Sequence, residues 1–260
     1  MKRRTLLATV GGAASLAGCA GRLGGGGRSG DDSSGGSGSA DDETDNGSVE
    51  TLTLAEQGVP PTICEESLSP AGIRAIAEPV FGAPGEFPAD PEGYHGLSEE
   101  DTVIGLTDGQ RARAYPRTVL NVHEIVNDTF GAPVIVTYCP ICRSGMVAKR
   151  RIDGEATTFD VSGLLWKAPR IHSAASEKDG RVFSDNEAGV ANNGNLVMYD
   201  AATGSYWSQI LAAAICGERQ GERMTIHPST VTTWGEWRRD HPDTEVLLPP
   251  PASETVDPPI

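Results

Sequence analysis

At 260 residues with a formal net charge of −15, the chain has room for one sizeable domain but shows no clustered Lys and Arg to hold nucleic acid or an anionic membrane surface. An acidic, lysine-poor surface suits a protein kept hydrated in strong salt, which points to a halophilic source.

Residues 1–19 read as an export signal in which a basic start precedes a short apolar run. Arg3-Arg4 carries the twin-arginine signature of a route that exports folded proteins, and the run falls well short of the roughly 20 apolar residues of a membrane span. Leu16-Ala17-Gly18-Cys19 has the form of a lipobox, so Cys19 is expected to carry a lipid that anchors the mature chain to the outer face of the cytoplasmic membrane. Ordinary cleavage, with Cys19 incidental, is the alternative. Residues 20–50 are Gly, Ser and Asp with almost nothing apolar, which is the composition of a flexible tether.

A single globular domain is expected over residues 51–248. T-L-T-L from Thr51 reads as a short strand, and Ser69-Pro70 opens a helix with Ile73, Ile76 and Ala77 on one face before Pro79 stops it. An irregular loop follows to Gly96. Three hairpins come next: T-V-I-G-L to R-A-R-A-Y around Asp108-Gly109, M-V-A-K-R-R-I to A-T-T-F-D-V around Asp153-Gly154, and N-L-V-M-Y-D to S-Y-W-S-Q around A-A-T-G. Residues 117–127 place Val119, Val122, His123 and Val126 at helical spacing. T-W-G-E from Thr233 fits a capping box that opens a second helix. Residues 168–193 form a polar loop longer than a hairpin needs, and residues 249–260 read as a loose Pro-rich tail. The pattern predicts a mainly β fold, antiparallel hairpins in a barrel- or sandwich-like domain, with a few short helices.

The chemistry-bearing stretch is T-Y-C-P-I-C-R-S-G, which delivers Cys139 and Cys142 from a strand end into a tight turn. Two cysteines at this spacing can bite one metal ion, because the turn aims both sulfurs inward and backbone N–H groups toward them. They can equally form a redox pair, although S-G-M-V-A-K-R-R-I continues as a strand where a thioredoxin-type site would open a helix. A structural disulfide or two packed thiols is the third reading. His123, inward on the preceding helix, is the best further metal ligand, with a core histidine bonded to a backbone carbonyl as its alternative. Glu124 is expected to face water. Soft thiolates with an imidazole favour zinc or copper.

Cys216 in A-A-A-I-C-G reads as a small buried residue, and Cys64 could pair with it. Asn127-Asp128-Thr129 has the form of a glycosylation sequon. Trp207 and Trp234 sit at strand and helix positions that are usually core, with a ligand platform as the other possibility.

H-E-I-V-N-D from His123, T-Y-C-P-I-C-R-S-G from Thr137, V-S-G-L-L from Val161, L-V-M-Y-D from Leu196, W-S-Q from Trp207 and T-T-W-G-E-W from Thr232 together resemble the domain-of-unknown-function 3179 family of exported proteins, in order over residues 101–248. The resemblance implies a β-rich domain and an exported life, without a settled activity. His123, Cys139 and Cys142 match the family pattern, and Cys64 and Cys216 do not. The chain departs from it by the 168–193 insertion and by lacking an Arg/Tyr/Gly-rich segment at its end. The leading expectation is therefore a membrane-tethered lipoprotein whose Cys139, Cys142 and His123 bind a metal for a structural or delivery role. A thiol–disulfide oxidoreductase in which Cys139 attacks first and a non-catalytic ligand-binding module are the alternatives, so enzymatic activity stays open.

Overall fold

The apolar run P-V-I-V-T-Y becomes the core of β6 (Ala132–Cys139), and its lack of polar alternation follows from burial of both its faces. In the computed structural model, which describes residues 52–166 and 194–256, Val134 and Val136 enter one apolar cluster and Ile135 and Cys139 another. β6 pairs antiparallel with β5 (Ile125–Phe130) and β7 (Ser144–Lys149). β1 (Ile76–Glu78) joins β5 in parallel and β16 (Glu254–Thr255) closes that edge, giving a five-stranded central sheet.

Two further sheets cover it. On one side lie β14 (Thr230–Thr233), β3 (Thr102–Thr107), β4 (Ala112–Pro116), β15 (Glu245–Leu247) and β2 (Phe81–Gly82), in that spatial order. Ile104, Leu106, Tyr115 and Leu247 of this sheet pack with Val126, Val134, Val136 and Val147 of the central one. On the other side β10 (Phe159–Trp166), β11 (Asn195–Asp200), β12 (Tyr206–Ser208) and β13 (Ala213–Cys216) form a four-stranded sheet. Its Phe159, Val161, Leu196, Met198 and Trp207 pack on Ile125, Ile135, Cys139 and Ala148. At about 1.5–3 kcal/mol for each large apolar side chain buried, these two seams dominate the stability of the stack.

Each outer sheet has its own cover. Helix α2 (Trp234–Asp240), capped by Thr233 Oγ1 accepting from the Glu236 N–H at 3.3 Å, lays Trp234 and Trp237 over Val103, Ala112 and Ala114. A Cβ at Gly105 would stand 2.4 Å from the Trp237 ring, so the indole requires a glycine there. Val59 and Ile63 of the segment before β1 cover Trp166, Val197 and Ile215 of the four-stranded sheet, and a Cys64–Cys216 disulfide fastens them.

The mainly β expectation holds as stacked sheets, and several local readings change. The first and third hairpins form as read, with Gly109 at φ 89°. The second shrinks to β8 (Arg151–Ile152) and β9 (Glu155–Ala156), because β7 and β10 find better partners in other sheets. Residues 52–54 form no strand and run into a turn, and the Ser69-Pro70 stretch gives a turn leading into β1. The helix expected over 117–127 is α1 (Arg117–His123) alone, since β-branched Ile125 and Val126 pair better in β5. Asn127 is buried and its amide bonds Ile76 O at 3.2 Å and Phe159 O at 2.9 Å, so the sequon is a strand tie. Beyond Leu248 the chain is not loose throughout: Ser253 Oγ bonds Leu248 O at 2.6 Å and leads into β16.

Arg3, Arg4, Cys19, the 20–50 tether and the 168–193 insertion lie outside the described residues. Among the described residues no helix is long and apolar enough to cross a membrane.

Candidate functional site

β6 ends at Cys139, and a turn through Pro140 and Ile141 brings Cys142 back before β7 begins at Ser144. The strand that follows the motif is thus as read. Both thiols are free, Cys139 fully buried and Cys142 partly open. They lie within hydrogen-bonding reach of one another, and the Cys142 backbone N–H is aimed at both sulfurs. The Cys139 sulfur also approaches Gly194 O at 3.7 Å and receives the Leu196 N–H.

The two thiols are made unequal by their surroundings. The hydrogen bond from Cys139 is the largest influence on Cys142 and makes it more acidic than an ordinary thiol; burial opposes this, and Ser144 and Asn195 add to it. The same bond, followed by burial, pushes the Cys139 thiol up. Asn195 Nδ2 lies 3.1 Å from the Cys142 sulfur and Ser144 Oγ lies 3.3 Å from it. Gln209 holds this pair in turn: its Oε1 accepts from Ser144 Oγ at 2.9 Å and from Asn195 Nδ2 at 2.8 Å. Its Nε2 donates to Thr137 Oγ1 at 2.9 Å. A thiolate on Cys142 therefore sits in a ring of donors built from β6, β7, β11 and the residue after β12. Such a setting lowers the energy of sulfur in its nucleophilic form. Of the two sulfurs, Cys142 is the more open and Cys139 the more buried.

His123 is not part of this ring. Its Nδ1 donates to Arg74 O at 2.7 Å, which leaves Nε2 to accept from the Tyr94 hydroxyl at 2.6 Å. Burial lowers its pKa, partly offset by the Arg74 carbonyl. Both ring nitrogens are spoken for, as in the alternative reading of a core histidine. The expected zinc or copper ligand set of Cys139, Cys142 and His123 therefore does not come together. Among the described residues no group of three His, Cys, Asp or Glu is placed to hold a metal ion.

Glu124, expected in water, is buried instead. The helical spacing that turned it outward does not apply, because α1 stops at His123 and Glu124 takes φ 59°, ψ −33°. A non-glycine residue in so sparsely populated a region costs on the order of 1–3 kcal/mol. Two backbone bonds hold it there: its N–H donates to Leu120 O at 2.9 Å and its carbonyl accepts from the Tyr138 N–H at 2.8 Å. Burial first, and then the charge of Cys142, raises its carboxyl to about 7.

Trp207 and Trp234 lie in different apolar clusters and are buried in both, so they form no shared ligand platform. Trp207 Nε1 bonds Asp200 Oδ2 at 2.8 Å and its ring meets Phe159 edge-on. The residues that sequence reading passed over are Thr137, Ser144, Asn195 and Gln209, while Glu124 was placed on the wrong side. The available signal was polar residues at inward positions of apolar strands, Thr137 within V-I-V-T-Y and Gln209 after Y-W-S.

A family model described as "Protein of unknown function (DUF3179)" matches residues 70–172 and 186–256. The break between the two matched stretches falls inside the 168–193 insertion. No curated protein and no solved structure matches the chain.

Proposed function

The chain belongs to the DUF3179 family, and we propose that this member is an exported, membrane-tethered thiol–disulfide exchange protein with Cys142 as nucleophile and Cys139 as resolving thiol. One observation carries the reading: two free cysteines in hydrogen-bonding reach differ sharply in environment, the open one stabilised as thiolate by Asn195 and Ser144, the buried one held as thiol. Asymmetry of this kind separates a sulfur that attacks from one that waits. A structural pair would gain nothing from it. The tethering half of the proposal rests on Arg3-Arg4 and the lipobox ending at Cys19.

In the exchange, the Cys142 thiolate attacks one sulfur of a disulfide and forms a mixed disulfide while the other sulfur leaves as a thiolate. Cys139 then attacks the Cys142 sulfur, closing the Cys139–Cys142 disulfide and releasing the second thiol. Two electrons pass from the protein dithiol to the substrate disulfide. The exposed apolar side chains of Ile141 beside Cys142, Ile210 beside Asn195 and Leu165 on β10 suit a polypeptide disulfide better than a small charged one.

The test is pH-resolved alkylation with each cysteine mapped by mass, together with reductase assays on a peptide disulfide. Cys142 is expected to alkylate at about pH 6, well below the ~8.5 of an ordinary thiol, and Cys139 to resist. Cys142→Ser abolishes exchange, and Cys139→Ser accumulates the mixed disulfide. Equal reactivity of the two thiols, or one zinc or copper ion per chain released only when they are alkylated, would overturn the proposal.

A further inference from the structure

The central sheet ends at β7, and part of that edge is open beside Cys142. Tyr138 faces Gly145 across the β6–β7 ladder but turns its N–H the other way, to Glu124 O at 2.8 Å. Hydrogen-bonding groups alternate sides along an antiparallel strand, so Gly145, Val147 and Lys149 aim their N–H and C=O away from β6. The last two find partners there: the Lys149 N–H donates to Thr225 O and the His227 N–H donates to Val147 O, both at 2.8 Å. Between them Ile226 faces Ala148 in a short antiparallel bridge. Beyond His227 the chain leaves this edge at Pro228 and enters β14, where Thr230 faces Gly105 of the other sheet. Gly145 is exposed, and among the described residues its N–H and C=O have no backbone partner.

Resting on the thiol–disulfide reading, we propose that the open edge at Gly145 takes an extended segment of the substrate polypeptide as an added antiparallel strand, which sets the substrate cysteine on the face of the sheet that carries Cys142. The residue facing Gly145 exchanges two backbone bonds with it, as Ile226 does not with Ala148 but its neighbours do with Val147 and Lys149. Residues that face one another across a ladder put their side chains on the same face. Cys142, Met146 and Ala148 all pack on the cluster between the central and four-stranded sheets, and Ser144 Oγ lies 3.3 Å from the Cys142 sulfur. A substrate cysteine facing Ser144 is therefore on the side of the reactive sulfur. Antiparallel order puts the residue facing Gly145 just before that cysteine, and the one before it faces Met146. An apolar side chain there would lie on the same face as Met146 and Ile226, which is 53 % exposed. The covalent step is the exchange already described, with the substrate strand holding its disulfide at Cys142.

An unpaired sheet edge is a template for any strand. What commits this one to a disulfide-bearing segment is its place: the open groups belong to the residue after Ser144, whose hydroxyl touches the Cys142 sulfur, and Ile141 in the CxxC turn adds exposed apolar surface beside it.

The experiment needs no variant. It compares disulfides of one hexapeptide on the full protein, unmethylated or with a single backbone N-methyl group, beside a small dialkyl disulfide that contains no peptide bond. Methylating the residue just before the reactive cysteine removes the N–H that donates to Gly145 O, and is expected to lower the exchange rate on the order of tenfold. Methylating the cysteine itself, or the residue two before it, falls on N–H groups that point away from β7 and is expected to change the rate by less than about twofold. The Gly145 amide is expected to exchange its hydrogen rapidly in the free protein. Equal effects at the three positions, or none at any, would remove the edge from substrate binding, while reduction of the small disulfide would show the exchange reaction intact. A Gly145 amide already protected in the free chain, together with a dimer in solution, would give the edge to a second copy and overturn the proposal. Failure to reduce the small disulfide and every peptide would remove both proposals together.

Discussion

Asn195 has two amide hydrogens and three acceptors in reach: the Cys142 sulfur at 3.1 Å, Ser144 Oγ at 3.0 Å and Gln209 Oε1 at 2.8 Å. Ser144 has one hydroxyl proton to divide between Gln209 Oε1 and Cys142. When Cys142 ionises, that proton can turn to the sulfur without stranding Gln209, which Asn195 still serves. The network thus follows the charge. A hydrogen bond to an ionised group is worth about 1.5–3 kcal/mol, and 1.36 kcal/mol corresponds to one pKa unit. Asn195→Ala is therefore expected to raise the midpoint of Cys142 alkylation by about 1–2 pH units, and Ser144→Ala by less, because Asn195 continues to donate. An unmoved profile in Asn195→Ala would mean that the turn alone acidifies the thiol. Glu124 gives a second residue-level prediction, on stability. Its folded-state pKa is raised from 4.5 to about 7, so its contribution is fully present below 4.5 and is lost as pH rises through about 7. His123 has the opposite sign: its lowered pKa gives stability that is present above 6.5 and lost as pH falls. Comparison with Glu124→Gln isolates the first: from about pH 5 to about pH 8 the unmodified protein should lose melting temperature relative to the variant.

At the level of elements, the disulfide and the dithiol serve different parts of the fold. Cys216 belongs to the cluster on the outer face of the four-stranded sheet, and Cys139 to the cluster on its inner face. The bond to Cys64 fastens a segment that precedes the family-matched region, which begins at residue 70. Replacing both Cys64 and Cys216 by Ser should lower stability by about 2–5 kcal/mol, since the bond spans 152 residues of chain. It should leave the alkylation profile of Cys142 unchanged; a shifted profile would show that the outer face reaches the site. What sequence made legible here was local. Asp108-Gly109, A-A-T-G and the Thr233 cap encode their turns and helix within a few residues, so those elements formed as read. The end of α1 was not legible, because Val119, Val122 and Val126 fit a helical stripe while the competing pairing of β5 with β6 depends on residues 132–139. The CxxC turn could be located, but its donor ring could not: Ser144 and Gln209 are 65 residues apart, and only the stacking of two sheets brings them together. His123 misled for a related reason, since its partners Arg74 and Tyr94 come from segments with no periodicity to place them.

Among the described residues, three stacked sheets and the short β8–β9 hairpin leave Cys142 packed at the seam between the central and four-stranded sheets, in a chain of net charge −15. Such a charge opposes its own compaction and repels anions over a distance set by salt: about 10 Å at 0.1 M and about 3 Å at 1 M. Two consequences follow from this screening. The melting temperature should climb as salt is raised through this range, because screening relieves repulsion among surface carboxylates. The exchange rate should respond to substrate charge in the same experiment. With an anionic disulfide, the second-order rate of Cys142 is expected to rise severalfold from low to high salt, as the repulsive field collapses. With a cationic disulfide of similar size it should fall, and with a neutral one change little. Three parallel slopes would mean that the field felt at Cys142 is set by its immediate donors and the Glu124 carboxyl, and that the acidic surface serves solubility alone. Slopes that diverge by charge would make the acidity of the entire chain part of how this site selects what it reduces.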